Sequence, residues 1–417
     1  MTMADIFFLI CVIFIWFMIF YQLALSVAGF LYYLRSRRER KEMPGYTDDS
    51  LLPLVSILIP AHNEERVIRK TIRKITAFDY PRDKMEIIAI DDSSTDSTGA
   101  LLDALAADDP RIRVLHLAPP EGGQGKSRAL NMALGHVRGE FLAVYDADNR
   151  PDPAALKHLV LQLMADPSLG AAAGKFRTAN ASKNLLTRFI NIEGISFQWI
   201  VQAGRWFLFR LGTIPGTNFI IRTELIRALN GWDEKALTED AELSIRIYKA
   251  GKKIKFVPHA VTWEQEPETV RVWLKQRTRW VRGNNYVVFK FLREWFSLGS
   301  KRLMLEILYF LSLYYIFFAA ILLSDAIFIG GLFGWIDLNL PGPFNEVWIL
   351  AYVLFILEIY LALSFEHEDR PKNLLTVPFM YLTYCQLWLP VVFMGILQDL
   401  GGRKRVWDKT ERFEEKT

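Results

Sequence analysis

Four apolar runs, at residues 6–34, 304–333, 347–365 and 374–397, surround a stretch at 51–266 that reads like an ordinary soluble domain. A chain with that distribution cannot hide its apolar residues in one water-soluble core. A bilayer core of ~30 Å needs roughly 20 helical residues, so the first two runs are easily long enough to span and the last two are adequate. No Lys or Arg precedes the first run, and it is about twice as long as the apolar part of a signal peptide, so a retained anchor is expected.

That run ends in Arg35-Ser36-Arg37-Arg38-Glu39-Arg40-Lys41, which the positive-inside rule assigns to the cytoplasm. The N-terminus is then outside and residues 42–300 are cytosolic. The connection 334–346 carries Asp337 and Glu346 but no Lys or Arg, as suits an outer loop. Three further spans would leave the tail outside, whereas Arg403-Lys404-Arg405 argues for the cytosol. Either 374–397, interrupted by Pro378 and Pro390, lies in the interface or re-enters the same leaflet, or the charge rule fails here. The expected organisation is an anchor at 1–41, a cytosolic domain at 42–266, an interfacial helical stretch at 267–300, a transmembrane region at 301–400 and a cytosolic tail at 401–417.

A length of 417 residues exceeds what a single core usually sustains. Fifty Lys and Arg against 46 Asp and Glu give a net charge of +4, which excludes a polybasic nucleic-acid binder. The two cysteines, Cys11 and Cys385, both fall in apolar runs and imply no disulfide framework.

Within the polar stretch, short apolar runs at Val55–Ile59, Glu86–Ile90, Arg113–Leu117, Phe141–Tyr145 and Asn218–Arg222 predict strands. Amphipathic segments at 65–77, 97–107, 127–138 and 153–165 predict helices between them. This alternation predicts an α/β, Rossmann-like, mostly parallel sheet with helices on both faces, and ligands bind such sheets at the carboxyl ends of the strands. Those ends carry Pro60-Ala61-His62-Asn63-Glu64, Asp91-Asp92-Ser93-Ser94-Thr95-Asp96 and Asp146-Ala147-Asp148. Three polar, mostly acidic clusters therefore converge on one edge.

Each cluster has a plain reading beside a chemical one. Asp146 and Asp148, one residue apart in a turn, can share a hard divalent cation that takes diphosphate oxygens as further ligands, or they can simply close a strand. Beside Asp91 and Asp92 the plain reading weakens, because two acidic pairs on one edge repel without a compensating cation. Ser94, Thr95 or Asp96 can cap the next helix, leaving Asp91 and Asp92 for a nucleotide base or ribose. Gly122-Gly123-Gln124-Gly125-Lys126-Ser127 mimics an NTPase phosphate loop, but Pro120 stands where its first glycine is required. Lys126 is then either a ligand for a nucleotide phosphate or a surface lysine opening a helix.

Thr238-Glu239-Asp240 opens a helix, and its carboxylates suit either the positive helix end or a general base for an acceptor hydroxyl. Gln276-Arg277-Thr278-Arg279-Trp280 lies on a helix expected after Pro267, where an amphipathic segment on a membrane surface would also place Trp and Arg. The residues alone leave both pairs of alternatives open.

As an ordered set, Asp91-Asp92, Asp146-Ala147-Asp148, Thr238-Glu239-Asp240 and Gln276-Arg277-Thr278-Arg279-Trp280 resembles the D, DxD, TED, QxxRW series of membrane-embedded family 2 glycosyltransferases, the group of cellulose, chitin, hyaluronan and poly-N-acetylglucosamine synthases. The resemblance covers about residues 51–300, with Pro60–Glu64 similar to the family's nucleotide-binding strand end and Ile214–Asn218 to its acceptor side. One N-terminal span, a few C-terminal ones and the tail Trp407–Arg412 most resemble the short bacterial poly-β-1,6-N-acetylglucosamine synthases.

The resemblance implies a GT-A fold and inverting, processive transfer from a UDP-sugar to a growing polysaccharide, in a multi-pass protein of the cell membrane. A single addition to a membrane lipid is the alternative. It further implies that Pro60, Ala61, Asn63, Glu64, Asp91, Asp92 and Lys126 contact the nucleotide. Asp146 and Asp148 would hold Mg2+ or Mn2+, with Asp146 also beside the diphosphate. Gly216 and Thr217 would lie on the acceptor side. Asp240 would act as base beside Glu239, Arg279 with Arg277 nearby would contact the diphosphate, Gln276 would contact substrate, and Trp280 would stack on the terminal sugar of the acceptor. So few spans leave room for a small membrane accessory subunit.

Overall fold

Alternate residues of each central strand bury into different cores. Ile57, Ile87 and Phe141 join one apolar cluster, and their neighbours Leu58, Ile88 and Leu142 join another on the opposite face. That is the two-residue period of a strand covered on both sides. The computed structural model describes residues 2–42, 48–297, 301–336 and 342–403. Asp337, Lys404-Arg405 and the tail 407–412, on which the expected topology partly rested, lie outside them.

The strands are β1 (Val55–Ala61), β2 (Met85–Asp92), β3 (Ile112–Leu117), β4 (Phe141–Val144), β5 (Arg150–Pro151), β6 (Leu169–Thr178), β7 (Phe219–Arg222) and β8 (Lys253–Glu264). They form one sheet in the order β3-β2-β1-β4-β7-β6-β8-β5. β1–β2, β1–β4, β2–β3 and β6–β8 pair in parallel, while β7 runs antiparallel to β4 and β6, and β5 to β8. Register explains why the polar clusters meet. Ala61 lies opposite Asp91 and Leu58 opposite Val144, so the residues beyond Ala61, Asp92 and Val144 emerge side by side. Because β7 is antiparallel, with Phe219 opposite Val144, Gly216 and Thr217 enter the same edge from the other direction.

Helix α1 (Met3–Glu42) covers the first apolar run and the basic segment after it, and α2 (Ile68–Thr76), α3 (Thr98–Asp108), α4 (Lys126–Leu134) and α5 (Ala155–Ala165) match the four expected helices to within a few residues. α6 (Leu185–Ser196) continues through a π-helical turn, Phe197–Gln202, into α7 (Ala203–Phe209), and α8 (Thr223–Ala228) and α9 (Glu239–Lys249) follow. α10 (Val270–Leu292) is capped by the Thr269 side chain, which accepts from Val272 N–H. α11 (Lys301–Leu311), a π-helical turn and α12 (Phe317–Leu332) occupy the second apolar run. α13 (Phe344–Phe365), α14 (Pro371–Leu382) and α15 (Trp388–Leu400) occupy the remaining two, with the last pair separated by a break at residues 383–387.

Among the described residues, Met3–Arg40, Glu346–Phe365 and Pro371–Leu400 are long and apolar enough to cross a membrane. α1 meets the α6–α7 stretch backbone to backbone: a Cβ on Gly29 would sit 2.1 Å from Trp199 O, and one on Gly204 would sit 2.4 Å from Leu25 O. Any larger residue at either position would force the helices apart. The C-terminal end of α1 is tied to the sheet domain, since Tyr32 Oη donates to Phe256 O at 2.5 Å and Lys255 pairs with Glu39 at 3.2 Å. The chain after α13 is tied there too, where Glu366 accepts from Lys175 and from Trp199 Nε1, each at 2.5 Å, and from Arg177. Asp399, at the end of α15, accepts from Arg282 at 3.0 Å and Asn285 at 2.9 Å on α10. The chain just before the 371–400 stretch and the end of that stretch therefore both meet the sheet domain or α10.

Candidate active site

The strand ends, the loop before α4, the start of α9 and one face of α10 enclose a single polar cleft. Gln276, Arg279 and Trp280 line it together because residues three and four apart share a helix face. Pro60, Ala61, Glu64, Asp92, Lys126, Asp146, Asp148, Gly216, Thr217, Glu239 and Asp240 line it as well.

Lys126 crosses the floor. Its Nζ lies 2.6 Å from Asp146 Oδ1 and 3.4 Å from Glu239 Oε1, and it donates to Gly216 O at 2.7 Å. Burial opposes its charge, but Asp146, Glu239 and Asp240 together hold the ammonium above the ordinary lysine range. Gly216 has φ +83°, and a Cβ there would stand 3.1 Å from Asp240 Oδ2, so glycine meets both the backbone and the space requirement. Asp240 is half-buried, and burial, aided by the neighbouring Glu239 carboxylate, pushes its carboxyl up to about 7. Thr238 does not cap α9 through its side chain; its buried Oγ1 makes no hydrogen bond.

The glycine-rich loop is not a phosphate cradle. Gly123 N–H donates to Asp92 Oδ1 at 2.6 Å, and a Cβ on Gly122 would lie 2.3 Å from Leu117 O and 2.4 Å from Ser93 Oγ. The loop packs against the end of β2, fixes Asp92 and delivers Lys126. Asp146 is held by its own N–H, which donates to Thr217 Oγ1 at 2.9 Å and Asn149 Oδ1 at 3.2 Å, while Thr217 bonds Asn149.

Three residues expected to touch substrate stand behind the cleft instead. Asn63, at φ +55°, accepts through Oδ1 from Thr95 N–H at 2.7 Å and Asp96 N–H at 3.3 Å, which shapes the loop after β2. Asp91 accepts from Ser94 N–H at 3.1 Å and faces His116 Nδ1 at 3.0 Å, because consecutive strand residues point to opposite sides of the sheet. Arg277 is 2% exposed and reaches away from the cleft to Glu193 at 2.9 Å. One residue on from Gln276 is a rotation of about 100°, which carries it off the cleft face.

Sequence reading missed Glu264, Gln265 and Glu266, which enter the cleft from β8. They form another polar cluster at a strand end, but Pro258 conceals the strand. Ala173 pairs with Phe256 and Lys175 with Val261, so residues 257–260 bulge opposite residue 174.

Eight carboxylates line the cleft, those of Glu64, Asp92, Asp146, Asp148, Glu239, Asp240, Glu264 and Glu266, against Lys126 and Arg279. An anionic ligand could not enter such a field without added positive charge. The lining thus offers the oxygen donors a hard divalent cation takes, Asp146 and Asp148 among them, although among the described residues no three His, Cys, Asp or Glu side chains stand together as a ligand set.

Residues 53–283 match the family described as "Glycosyltransferase like family 2". A probable glycosyltransferase of Bacillus subtilis, YdaM, is 46% identical over 99% of both chains. The poly-beta-1,6-N-acetyl-D-glucosamine synthase of Staphylococcus aureus is 29% identical over 70% of each chain. A beta-monoglucosyldiacylglycerol synthase of Trichormus variabilis is 33% identical over 60% of this chain and 52% of its own length. The fold is similar to that of the mannosyltransferase PcManGT of Pyrobaculum calidifontis, with a TM-score of 0.55 at 20% identity over 88% of this chain and 98% of the other. The sheet domain is a GT-A fold, and the chain is a glycosyltransferase of family 2.

Proposed function

We propose that this glycosyltransferase is an inverting, processive membrane enzyme that adds N-acetylglucosamine from a UDP-sugar to a growing polysaccharide. The observation that carries the reading is the convergence, in one cleft, of a carboxyl poised near neutrality, an acidic pair and an aromatic-basic helix face. The likeness to the Staphylococcus aureus synthase supports the polymer and its sugar.

In this reading Asp92 and the Pro60–Glu64 strand end hold the nucleotide. Asp146 and Asp148 hold Mg2+ or Mn2+, which neutralises the diphosphate when bound. Lys126 steadies Asp146, and Arg279 meets the diphosphate with a guanidinium suited to bidentate phosphate contacts. Asp240 takes the proton from the acceptor hydroxyl as its oxygen attacks the anomeric carbon and UDP departs, which inverts that centre. Trp280 and Gln276 hold the terminal sugar of the acceptor. Residues 42–300 face the cytosol, and α14–α15 lies in or re-enters one leaflet. The ties from Glu366 and Asp399 to the sheet side support that placement.

The likeness to a glucolipid synthase favours a second reading, a single addition to a membrane lipid. Purified protein in lipid, supplied with a panel of UDP-sugars and Mg2+ or Mn2+, tests the proposal. Release of UDP with one donor, accompanied by polymer, supports it; no turnover of any donor overturns it.

A further inference from the structure

Behind the cleft wall, Arg277 joins residues from three separate stretches of chain. Its Nη1 donates to Gln276 Oε1 at 3.1 Å, and its guanidinium carbon lies 3.9 Å from the Trp280 ring centroid. One buried cation thus touches two of the residues proposed to hold the acceptor. Its Nη2 donates to Glu193 Oε2 at 2.9 Å, on α6. The same oxygen accepts from Tyr384 Oη at 2.7 Å, and Glu193 Oε1 accepts from Trp388 Nε1 at 2.9 Å. Tyr384 lies in the break between α14 and α15, and Trp388 opens α15. Trp273, buried on α10, closes the set by donating from Nε1 to Tyr384 Oη at 3.0 Å.

The arrangement suits orientation more than plain stability. A buried ion pair is replaceable by apolar residues at little cost, whereas removing one partner strands a charge. Arginine here does what an apolar residue could not, since it stacks on one ring, bonds one amide and still reaches a carboxylate. Glu193 divides its two oxygens between α10 and the hairpin, so a shift of the hairpin bears directly on the group that anchors Arg277.

We infer that Glu193, Arg277, Tyr384 and Trp388 form a positioning unit that orients Gln276 and Trp280 towards the acceptor and couples this wall to the α14–α15 hairpin. The inference rests on the transferase reading above. None of the four touches a reacting atom; they act through Gln276 and Trp280.

Full-length protein in lipid nanodiscs provides the test. Glu193→Gln should lower sugar transfer to the acceptor by ~10- to 100-fold, the scale of a misplaced binding group. Its affinity for UDP with Mn2+ should stay within about threefold, because the loss falls on acceptor-side binding alone. The double variant Arg277→Met/Glu193→Gln removes both charges and should regain the Tm lost in Glu193→Gln. Transfer should nevertheless remain low, because the cation beneath Trp280 is gone. Recovery of transfer in step with Tm would show a merely structural role and overturn the inference.

Hydrogen–deuterium exchange supplies a readout independent of turnover. In Glu193→Gln, amides of 276–281 and of 384–388 should lose protection together. Loss in only one of the two segments would overturn the coupling. If the wild-type protein transfers no sugar from any UDP-sugar, the proposed UDP-sugar transfer fails, and the exchange result still decides whether the two walls are linked.

Discussion

Lys126 Nζ and Asp146 Oδ1 stand 2.6 Å apart across the cleft floor, joining the start of α4 to the end of β4. The same lysine lowers the pKa of Asp240, against the larger upward push of burial and Glu239. Its removal therefore has a defined sign. In Lys126→Ala the acidic limb of the pH profile should move to higher pH as the carboxyl loses its cationic neighbour. An unmoved limb would detach Lys126 from the proton transfer.

The wild-type profile follows from Asp240 itself. A base works when deprotonated, and this carboxyl is raised to about 7. At fixed donor and metal, kcat/KM should fall about tenfold per pH unit below the limb and level off above it. A profile flat down to pH values near 5 would contradict Asp240 as base, since an ordinary carboxylate titrates at about 4.

Asp240→Asn should keep the volume and lose the base. Transfer is expected to drop by ~100- to 10,000-fold, the usual worth of a positioned general base. UDP affinity should change little, because the Pro60–Glu64 segment and Asp92, proposed to hold the nucleotide, lie at the ends of β1 and β2. Retained transfer would reassign the proton to Glu239.

Chelation should abolish transfer, and either Mg2+ or Mn2+ should restore it, given eight cleft carboxylates against one lysine and one arginine. Asp148→Asn should raise the metal concentration needed for half-maximal activity by ~10-fold or more, on the scale by which disturbing a metal site weakens binding. Full activity in excess chelator would contradict a divalent cation at Asp146 and Asp148.

Much of this site was legible in the sequence because a parallel sheet presents successive strand ends on one edge. Pro60, Asp92 and Asp146 needed only the alternation of apolar runs and helices to be placed together. β6 escaped notice because Leu169–Gly174 is mostly small residues, which alternate in neither size nor polarity. β8 escaped because Pro258 and His259 sit in its bulge. The QxxRW resemblance named Gln276, Arg279 and Trp280 together, and their spacing of three and four residues puts all three on the cleft face of α10. No local pattern indicates that Arg277 points to Glu193, 84 residues away. Likewise, hydropathy identifies 371–400 as apolar but cannot show that both of its ends return to the sheet side.

The most direct test of the account is the product-length distribution at low conversion, from purified protein in lipid with UDP-N-acetylglucosamine and Mg2+ or Mn2+. The account predicts long chains while most of the acceptor is still unextended, and their loss in Trp280→Ala with UDP binding nearly intact. A product carrying one sugar per acceptor, or a variant that loses UDP binding and elongation equally, would contradict it.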